Sequence, residues 1–242
     1  MKRGFTLAEV LITLGIIGVV AALVMPGLIA EYKKRTYVTG LQKFYSVLQN
    51  GLALYKVKED ASELNDTELI IMMQSGSVDK TELNSIIGTI FNKAVSCDTQ
   101  SDKKCSGVKY KALDGNDYSP FGTGLGSFYT FVLPDSTIVS IRPVQQCDVN
   151  APLTNRNGRC IDIYVDVNGK KGPNINGRDL FVVGIRADGK VVPSSYYSTA
   201  SAEGISPSVI DSRCLTPVAA GGIWYADVCA AKIINDGWVM DY

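Results

Sequence analysis

Residues 1–20, MKRGFTLAEVLITLGIIGVV, place a glutamate, Glu9, inside an apolar run. The run extends from Phe5 to Ala30, and Glu9 is its only charged residue. About 20 mainly apolar residues span the hydrocarbon core of a bilayer, so the run predicts a membrane-spanning helix. A carboxylate in such a helix costs roughly 2.5–3.5 kcal/mol, and less near the helix end, unless a partner stabilises it. We expect no such partner within the run. A partner for Glu9 must then come from elsewhere, and the residues before the run suggest one.

The residues before the run do not form an ordinary secretory signal. Such a signal has a basic start, an apolar stretch of about 7–15 residues and a cleavage site of small residues after that stretch. Met1–Gly4 supplies only the basic start, and no clear site of small residues follows the apolar run. Cleavage between Gly4 and Phe5 would instead leave the helix on the protein. It would also create an ammonium on Phe5, one helical turn from Glu9, which makes this amine a candidate partner for the carboxylate.

The segment GFTLAEV, with Gly4, Phe5 and Glu9 and with Lys2 and Arg3 before it, resembles the processing site of type IV pilins and of the pseudopilins of type II secretion systems. The resemblance implies that prepilin peptidase cleaves after Gly4 and that the new N-terminal Phe5 is methylated. It also implies that Glu9 neutralises the terminal amine of a neighbouring subunit as a filament grows.

The resemblance covers about the first thirty residues, where Gly18 and Pro26 also fall at positions of a weak point and a kink in the family's helix. The partners it implies are copies of the chain or other pilins, prepilin peptidase, an inner-membrane assembly platform and membrane lipid. Before assembly the chain is expected in the cytoplasmic membrane, as a single-pass protein with its head outside the cytoplasm. After assembly it belongs to a periplasmic or extracellular filament.

Two alternatives accompany this interpretation. The first is a plain signal anchor in which Glu9 is tolerated near the interface. Pro26 does not distinguish this anchor from a pilin helix, because neighbouring groups can satisfy the carbonyl that a proline frees. The second is a membrane-anchored surface binding protein or enzyme that uses the leader only for export. Pilus and pseudopilus, and major and minor subunit, are equally open at this point.

The composition of the remaining chain narrows the classes of function. Roughly 210 residues follow the apolar run, enough for one domain with its own core, although two domains stay open. The formal charge is zero and falls to minus two once Lys2 and Arg3 are removed, which gives no indication of nucleic-acid binding. The chain has no histidine, which excludes Ser–His and Cys–His nucleophiles and His-ligated metal sites. We therefore expect a protein that is not an enzyme.

The six cysteines predict disulfide bonds, because the chain is expected to leave the cytoplasm. They form three couples that are close in sequence and flank polar or glycine-rich loops: Cys97 with Cys105, Cys147 with Cys160, and Cys214 with Cys229. Six cysteines allow fifteen connectivities, so this neighbour pairing is one hypothesis among them. Each such bridge would close a short loop and contribute about 2–3 kcal/mol.

Residues 31–58 predict an amphipathic helix that continues the apolar run of residues 5–30. Its apolar residues are spaced by threes and fours and comprise Tyr37, Leu41, Phe44, Leu48, Leu52 and Tyr55. The two parts make a spine helix of roughly 80 Å at 1.5 Å per residue, too long for one globular domain. The basic residues where the spine leaves the bilayer are Lys33, Lys34 and Arg35. They are either headgroup anchors or contacts within a filament.

Residues 59–242, which follow the leader (residues 1–4) and the spine, predict an α+β head. Between Glu63 and Val95 we expect one or two helices. The second begins at Asp79, because Glu82 three residues later completes a capping-box pattern.

From Gly107 onward the pattern changes to strands. Short β-branched and aromatic runs predict at least four antiparallel strands: SFYTFVLP, STIVSIRP, CIDIYVDVNG, LFVVGIRADG and KVVP. Pro134–Asp135 and Asp188–Gly189 predict two hairpin turns. The sheet is expected to pack on the amphipathic half of the spine, with disulfide-stabilised loops outside.

One loop, DVNGKKGPNINGRD from Asp166 to Asp179, is a candidate calcium site. Its oxygen-bearing side chains on a glycine-rich turn are Asp166, Asn168, Asn174, Asn176 and Asp179. The loop does not match an EF-hand, because its glycine comes too early, lysine occupies the fifth position and no glutamate closes the twelfth. The alternative is a solvated connection whose Asn and Gly residues serve turn geometry. No other cofactor is indicated.

The last fifty residues give weaker signals. Residues 194–213 are serine-rich and predict an exposed excursion. A short C-terminal helix is expected to end at Asn235–Gly237. The aromatic residues near the C-terminus, Trp224, Trp238 and Tyr242, are expected in the core or, alternatively, in a contact patch.

Overall fold

The computed structural model describes most of the chain. The described residues are 6–92, 94–97, 105, 107–118, 129–144, 159–186, 188–193 and 228–242, with single positions at 208, 210, 212 and 214. Two compact units are present, Met1–Thr36 and Tyr37–Tyr242. The second half of the spine therefore belongs to the same unit as the sheet, which we call the head unit.

The spine is one helix, α1, Leu7–Lys58, with Pro26 inside it. Its second half buries one face, and the large side chains of that face are Tyr37, Val38, Leu41, Phe44, Leu48, Leu52 and Tyr55. The predicted spacing by threes and fours is confirmed. Each large apolar side chain that leaves water stabilises the fold by about 1.5–3 kcal/mol, so this face fixes the helix in the core.

Two short helices follow a 3₁₀ turn at Leu64–Asp66: α2, Glu68–Ser75, and α3, Lys80–Phe91. The Asp79 carboxylate caps α3, because its Oδ1 accepts from the backbone N–H groups of Thr81 at 2.7 Å and Glu82 at 3.0 Å. This confirms the predicted helix start.

The helix α3 lies against α1. The rings of Phe44 and Phe91 stack with centroids 5.7 Å apart. Gly51 of α1 faces Ile90 of α3 so closely that an added Cβ would lie 2.7 Å from Ile90 Cγ2, and closer still to the Ile90 carbonyl oxygen. Glycine at this position therefore permits the approach of the two helices.

The strands are β1 Val95–Ser96, β2 Tyr110–Lys111, β3 Asp117–Tyr118, β4 Tyr129–Val132, β5 Ile138–Pro143, β6 Arg159–Asp166, β7 Leu180–Arg186 and β8 Val191–Pro193. In the part of the chain that the structure describes, six of them form one antiparallel sheet in the order β1-β4-β5-β6-β7-β8. The α+β class and all five predicted strands are confirmed. The sequence did not indicate β1 or the separate β2–β3 ribbon, because strands of two residues carry no period-2 pattern.

Both faces of the sheet centre are covered, which explains why β7 has no polar side chain from Leu180 to Ile185. One face contributes to the main core together with α1, through residues that include Phe131, Val139, Ile163, Phe181 and Val183. The other face carries Tyr164, Leu180 and Val182, which pack against Tyr110 and Tyr118 of the β2–β3 ribbon.

Two of the three predicted disulfide pairs are present, Cys97–Cys105 and Cys214–Cys229. Cys160 is also disulfide-bonded and is buried in β6. Cys147 lies outside the described residues, so its predicted pairing with Cys160 stays a prediction.

The C-terminal segment begins with a helix, α4, Cys229–Asn235, which ends where the sequence predicted. Trp238 packs edge-on against Tyr45 of α1, with ring centroids 5.8 Å apart. The Tyr242 hydroxyl donates to the Gly177 carbonyl at 2.6 Å. Both aromatic residues thus lie at the edge of the core, whereas Trp224 and nearly all of the predicted excursion 194–213 lie outside the described residues.

Candidate functional site

The first half of α1 is apolar on every side. Fourteen large apolar side chains between Leu7 and Ile29 are exposed, and neighbours such as Ile16 at 60% and Ile17 at 63% point in different directions. Among the described residues, α1 is the one helix long and apolar enough to cross a membrane, by length and composition. A helix with no polar face requires an apolar environment, which lipid or other apolar helices supply.

The start of this helix corrects one expectation about Glu9. The sequence-based prediction that no partner lies within the apolar run is wrong, because Thr6 bonds the glutamate. The Thr6 backbone N–H and hydroxyl donate to Glu9 Oε2 at 2.8 and 2.9 Å, and the Glu9 N–H donates to Thr6 Oγ1 at 3.3 Å. These reciprocal bonds are a capping box, whose Thr-x-x-Glu signature was present in the sequence at Thr6–Glu9 and was missed.

The capping box supplies two hydrogen bonds to one oxygen of Glu9, Oε2, but does not neutralise its charge. Thr6 is neutral, and no cation pairs with Glu9 among the residues that the structure describes. A carboxylate in an apolar environment still gains from a positive partner, since neutral donors offset only part of the lost hydration. Within the described residues, the N-terminal turn of α1 therefore presents a negative charge that no cation neutralises.

Gly4 and Phe5, the predicted cleavage and methylation residues, lie outside the described residues. Comparison with known families nevertheless places both within a recognised segment. Residues 1–25 match the family model described as the prokaryotic N-terminal methylation motif. The chain carries a prepilin-type methylation motif. The motif and the apolar helix are consistent with membrane anchoring. No curated protein and no solved structure matches the chain.

The second candidate site, the loop after β6, brings two of its predicted ligands together. Asp166 and Asp179 are buried, with exposures of 1% and 0%. Asp166 Oδ2 accepts from the Tyr110 hydroxyl at 2.9 Å, and Asp166 Oδ1 accepts from the Asn168 N–H at 3.2 Å. Asp179 accepts from the backbone N–H groups of Asn174 at 2.8 Å and Ile175 at 2.6 Å.

Burial changes the acidity of both carboxyl groups. It raises the pKa of Asp166 to about 7, although the hydrogen bond from Tyr110 opposes the rise and the charge of Asp179 adds to it. Burial also raises the pKa of Asp179, against the hydrogen bonds from Ile175 and Asn174. Burial, followed by the charge of Asp166, raises the pKa of Tyr110 as well.

The other predicted ligands serve the turn in this structure. The Asn168 side-chain nitrogen donates to the carbonyls of Lys171 at 2.6 Å and Gly172 at 3.3 Å. When the Asn174 amide is oriented so that its nitrogen and its oxygen both find partners, the nitrogen donates to the carbonyls of Lys171 and Gly169. Asn176 is buried, and its backbone N–H donates to the Lys111 carbonyl at 2.8 Å.

These bonds bear on the calcium hypothesis. All four carboxylate oxygens of Asp166 and Asp179 accept hydrogen bonds, so N–H and O–H donors organise the loop. Within the described residues, no three Asp, Glu, His or Cys side chains are grouped to hold a metal ion. The arrangement favours the alternative of a turn built by hydrogen bonds, and calcium binding stays an untested hypothesis.

Proposed function

We propose that this chain is a structural subunit of a filament, either a type IV pilus or a type II secretion pseudopilus, that prepilin peptidase processes between Gly4 and Phe5. The observation that carries the proposal is the methylation motif over residues 1–25 at the head of a helix that is apolar on all sides. A leader that served only for export would not need a charge in the first turn of that helix, because a neutral glutamine would complete the capping box equally well.

The apolar half of α1 suits two successive environments. In the membrane, lipid covers the exposed side chains between Leu7 and Ile29. In a filament, the same side chains pack on copies of the helix. Such head-to-tail contacts use different surfaces on the two subunits and generate an open helical assembly.

Glu9 supplies the register of this assembly. Cleavage after Gly4 leaves an ammonium on Phe5, and Glu9 of an adjacent subunit carries the opposite charge. Each charge is costly in an apolar environment, and pairing them lowers that cost only when the two helices are at one axial offset. The capping box with Thr6 holds the carboxylate at the N-terminal turn, where the terminal amine of a neighbour meets it.

The test separates filament protein from membrane protein in the same cells. Wild-type chain should be recovered in sheared fibres with Phe5 as its first residue. Glu9→Ala should still be cleaved and inserted in the membrane, because the peptidase site is unchanged, but its share in the fibres should fall at least tenfold. That factor corresponds to about 1.4 kcal/mol, a fraction of the roughly 3–5 kcal/mol lost when one partner of a buried ion pair is removed.

The alternative function is a membrane-anchored binding protein that uses the motif only for export. It predicts wild-type protein solely as a membrane monomer, with no fibres, and no effect of Glu9→Ala on its distribution. Either of these results would overturn the filament proposal. Since the chain has no histidine, we also propose a structural rather than a catalytic role for the head.

A further inference from the structure

We propose that the segment Val167–Arg178, here called the basic loop, is a docking surface for anionic lipid headgroups. Its sequence, VNGKKGPNINGR, contains Lys170, Lys171 and Arg178 and no acidic residue. The proposal rests on membrane anchoring by α1 and does not depend on assembly into a filament.

The basic loop lies where the chain enters the head unit. An added Cβ on Gly40 would lie 2.9 Å from Val167 Cβ, so the loop touches the second turn of the unit. Tyr37, the first residue of the unit, is close enough to Arg178 for the guanidinium to oppose the rise in the tyrosine's pKa that burial causes. The loop therefore lies at the entry end of the head unit.

Chain length keeps this end near the membrane. Tyr37 follows Ala30, the end of the predicted membrane-spanning run, by seven positions in the sequence. Even a fully extended chain spans at most about 25 Å over these seven steps. The polar headgroup layer occupies several ångströms of that distance, and charges act through about 8–10 Å of solution at physiological ionic strength. In an anchored molecule the chain therefore tethers the entry end of the head unit within about 25 Å of the hydrocarbon core, so that the basic loop can meet an anionic surface.

The backbone of the basic loop is fixed before any lipid binds. The Lys111 N–H donates to the Asn174 carbonyl at 2.9 Å, which ties the loop to β2. The side-chain nitrogen of Asn168 donates to the Lys171 carbonyl at 2.6 Å, and the Tyr242 hydroxyl donates to the Gly177 carbonyl at 2.6 Å. Little backbone entropy is therefore lost on docking.

The charges of the basic loop are directed to solvent. Lys170, Lys171 and Arg178 are exposed, whereas the acids that border the loop, Asp166 and Asp179, are buried and accept hydrogen bonds from within the fold. Among the described residues, no ion pair involves Lys171 or Arg178. Near an anionic membrane surface each basic residue strengthens attraction about fivefold. The exposed Lys171 and Arg178 thus carry the positive charge that suits phosphate-bearing headgroups.

Lysine acylation on the full chain tests the proposal. The protein is placed at one copy per nanodisc, either in phosphatidylcholine alone or in an equal mixture with phosphatidylglycerol, and acylation rates are measured by mass spectrometry. The rates at Lys170 and Lys171 should fall roughly threefold or more in the anionic discs and recover in about 0.5 M NaCl. Lys58 and Lys80, exposed elsewhere on the head unit, are the internal controls and should react equally in both lipids.

A variant provides the second measurement. Arg178→Gln should return the acylation rate at Lys171 in anionic discs toward the phosphatidylcholine value, whereas the matched Lys80→Gln should not. Equal rates at Lys171 in the two lipids would overturn the proposal. The proposal would also be overturned if Lys171 were protected from acylation only with several copies per disc and if this protection persisted in salt. That result would show a contact between subunits at the loop. Since a single copy cannot form a filament, the result is independent of the fibre assay.

Discussion

Replacing Gly51 by alanine should destabilise the head unit, although alanine is the better helix former. In a helix interior the change from glycine to alanine stabilises by roughly 0.5–1 kcal/mol when space is free. Space is not free at Gly51, where the new Cβ would lie 2.7 Å from Ile90 Cγ2 and closer to the Ile90 carbonyl oxygen. The backbone cannot rotate away as a flexible side chain can, so α1 and α3 must separate.

The expected magnitude follows from these opposing effects. Overpacking of a core contact costs about 1–3 kcal/mol, and the gain in helix propensity offsets part of it, which leaves a net loss of roughly 1–2 kcal/mol. For a unit of this size, that lowers the Tm by about 2–8 °C. Gly88 of α3 is the matched control, because it is exposed and a Cβ there meets nothing within 4 Å. Gly88→Ala should raise the Tm by about 1–4 °C.

Both variants are measured on the full chain in detergent micelles, by the thermal loss of the near-ultraviolet circular dichroism of the buried aromatic side chains. This signal follows tertiary packing in the head unit and does not depend on the apolar half of α1, which stays helical in the micelle. A Gly51→Ala variant that melts above wild type, as Gly88→Ala is expected to, would show that α1 and α3 do not approach as described.

Three further predictions concern pH, processing and calcium. Asp166 has a pKa of about 7 in the fold and roughly 3.9 when unfolded, so the native state holds the proton more tightly. The protonated Asp166 therefore stabilises the fold fully below pH 4, and this stabilisation, up to about 4 kcal/mol, is lost as the pH rises to 7. Asp166→Asn should remove this dependence of stability on pH. If the Tm of the variant and of the wild type changed with pH in parallel, the prediction would be contradicted. Mass spectrometry of the mature chain should give N-methylated Phe5 as the first residue, and a bulky replacement of Gly4 should block cleavage; another N-terminus in a stable wild-type chain refutes the processing site. Dialysis against chelator should leave the Tm unchanged, whereas a fall that calcium restores would favour the calcium hypothesis for the loop from Asp166 to Asp179.

The sequence indicated the larger elements because their periodicity is long and regular. The spacing of Tyr37, Leu41 and Phe44 already specified the buried face of α1, and the β-branched run of β7 indicated a strand, although not that both of its faces are covered. The two-residue strands β1 and β2 gave no comparable pattern, because they owe their conformation to tertiary pairing.

The local chemistry of the candidate sites was harder to predict. The capping box at Thr6 and Glu9 is encoded in only four residues. The charge of Glu9 in an apolar run favoured a charged partner outside the run as its explanation, and the capping pattern was missed. In the loop after β6, oxygen-bearing residues fit both a cation site and a hydrogen-bonded turn. The group that bonds Asp166 Oδ2 is the hydroxyl of Tyr110, from the β2–β3 ribbon. This contact joins residues 56 positions apart in the sequence, so local sequence could not indicate it.

The central claim, that the charge of Glu9 and not its role in the helix cap drives assembly, is tested most directly by comparing Glu9→Gln with Thr6→Val. Glutamine keeps the capping box and removes the charge, whereas valine removes the Thr6 hydroxyl and keeps the charge. The measurement is the share of processed protein in sheared fibres relative to the membrane fraction of the same cells. The account predicts that Glu9→Gln reduces this share at least tenfold and that Thr6→Val reduces it much less. Normal fibres with Glu9→Gln and a loss with Thr6→Val would show that Glu9 acts only as a helix cap.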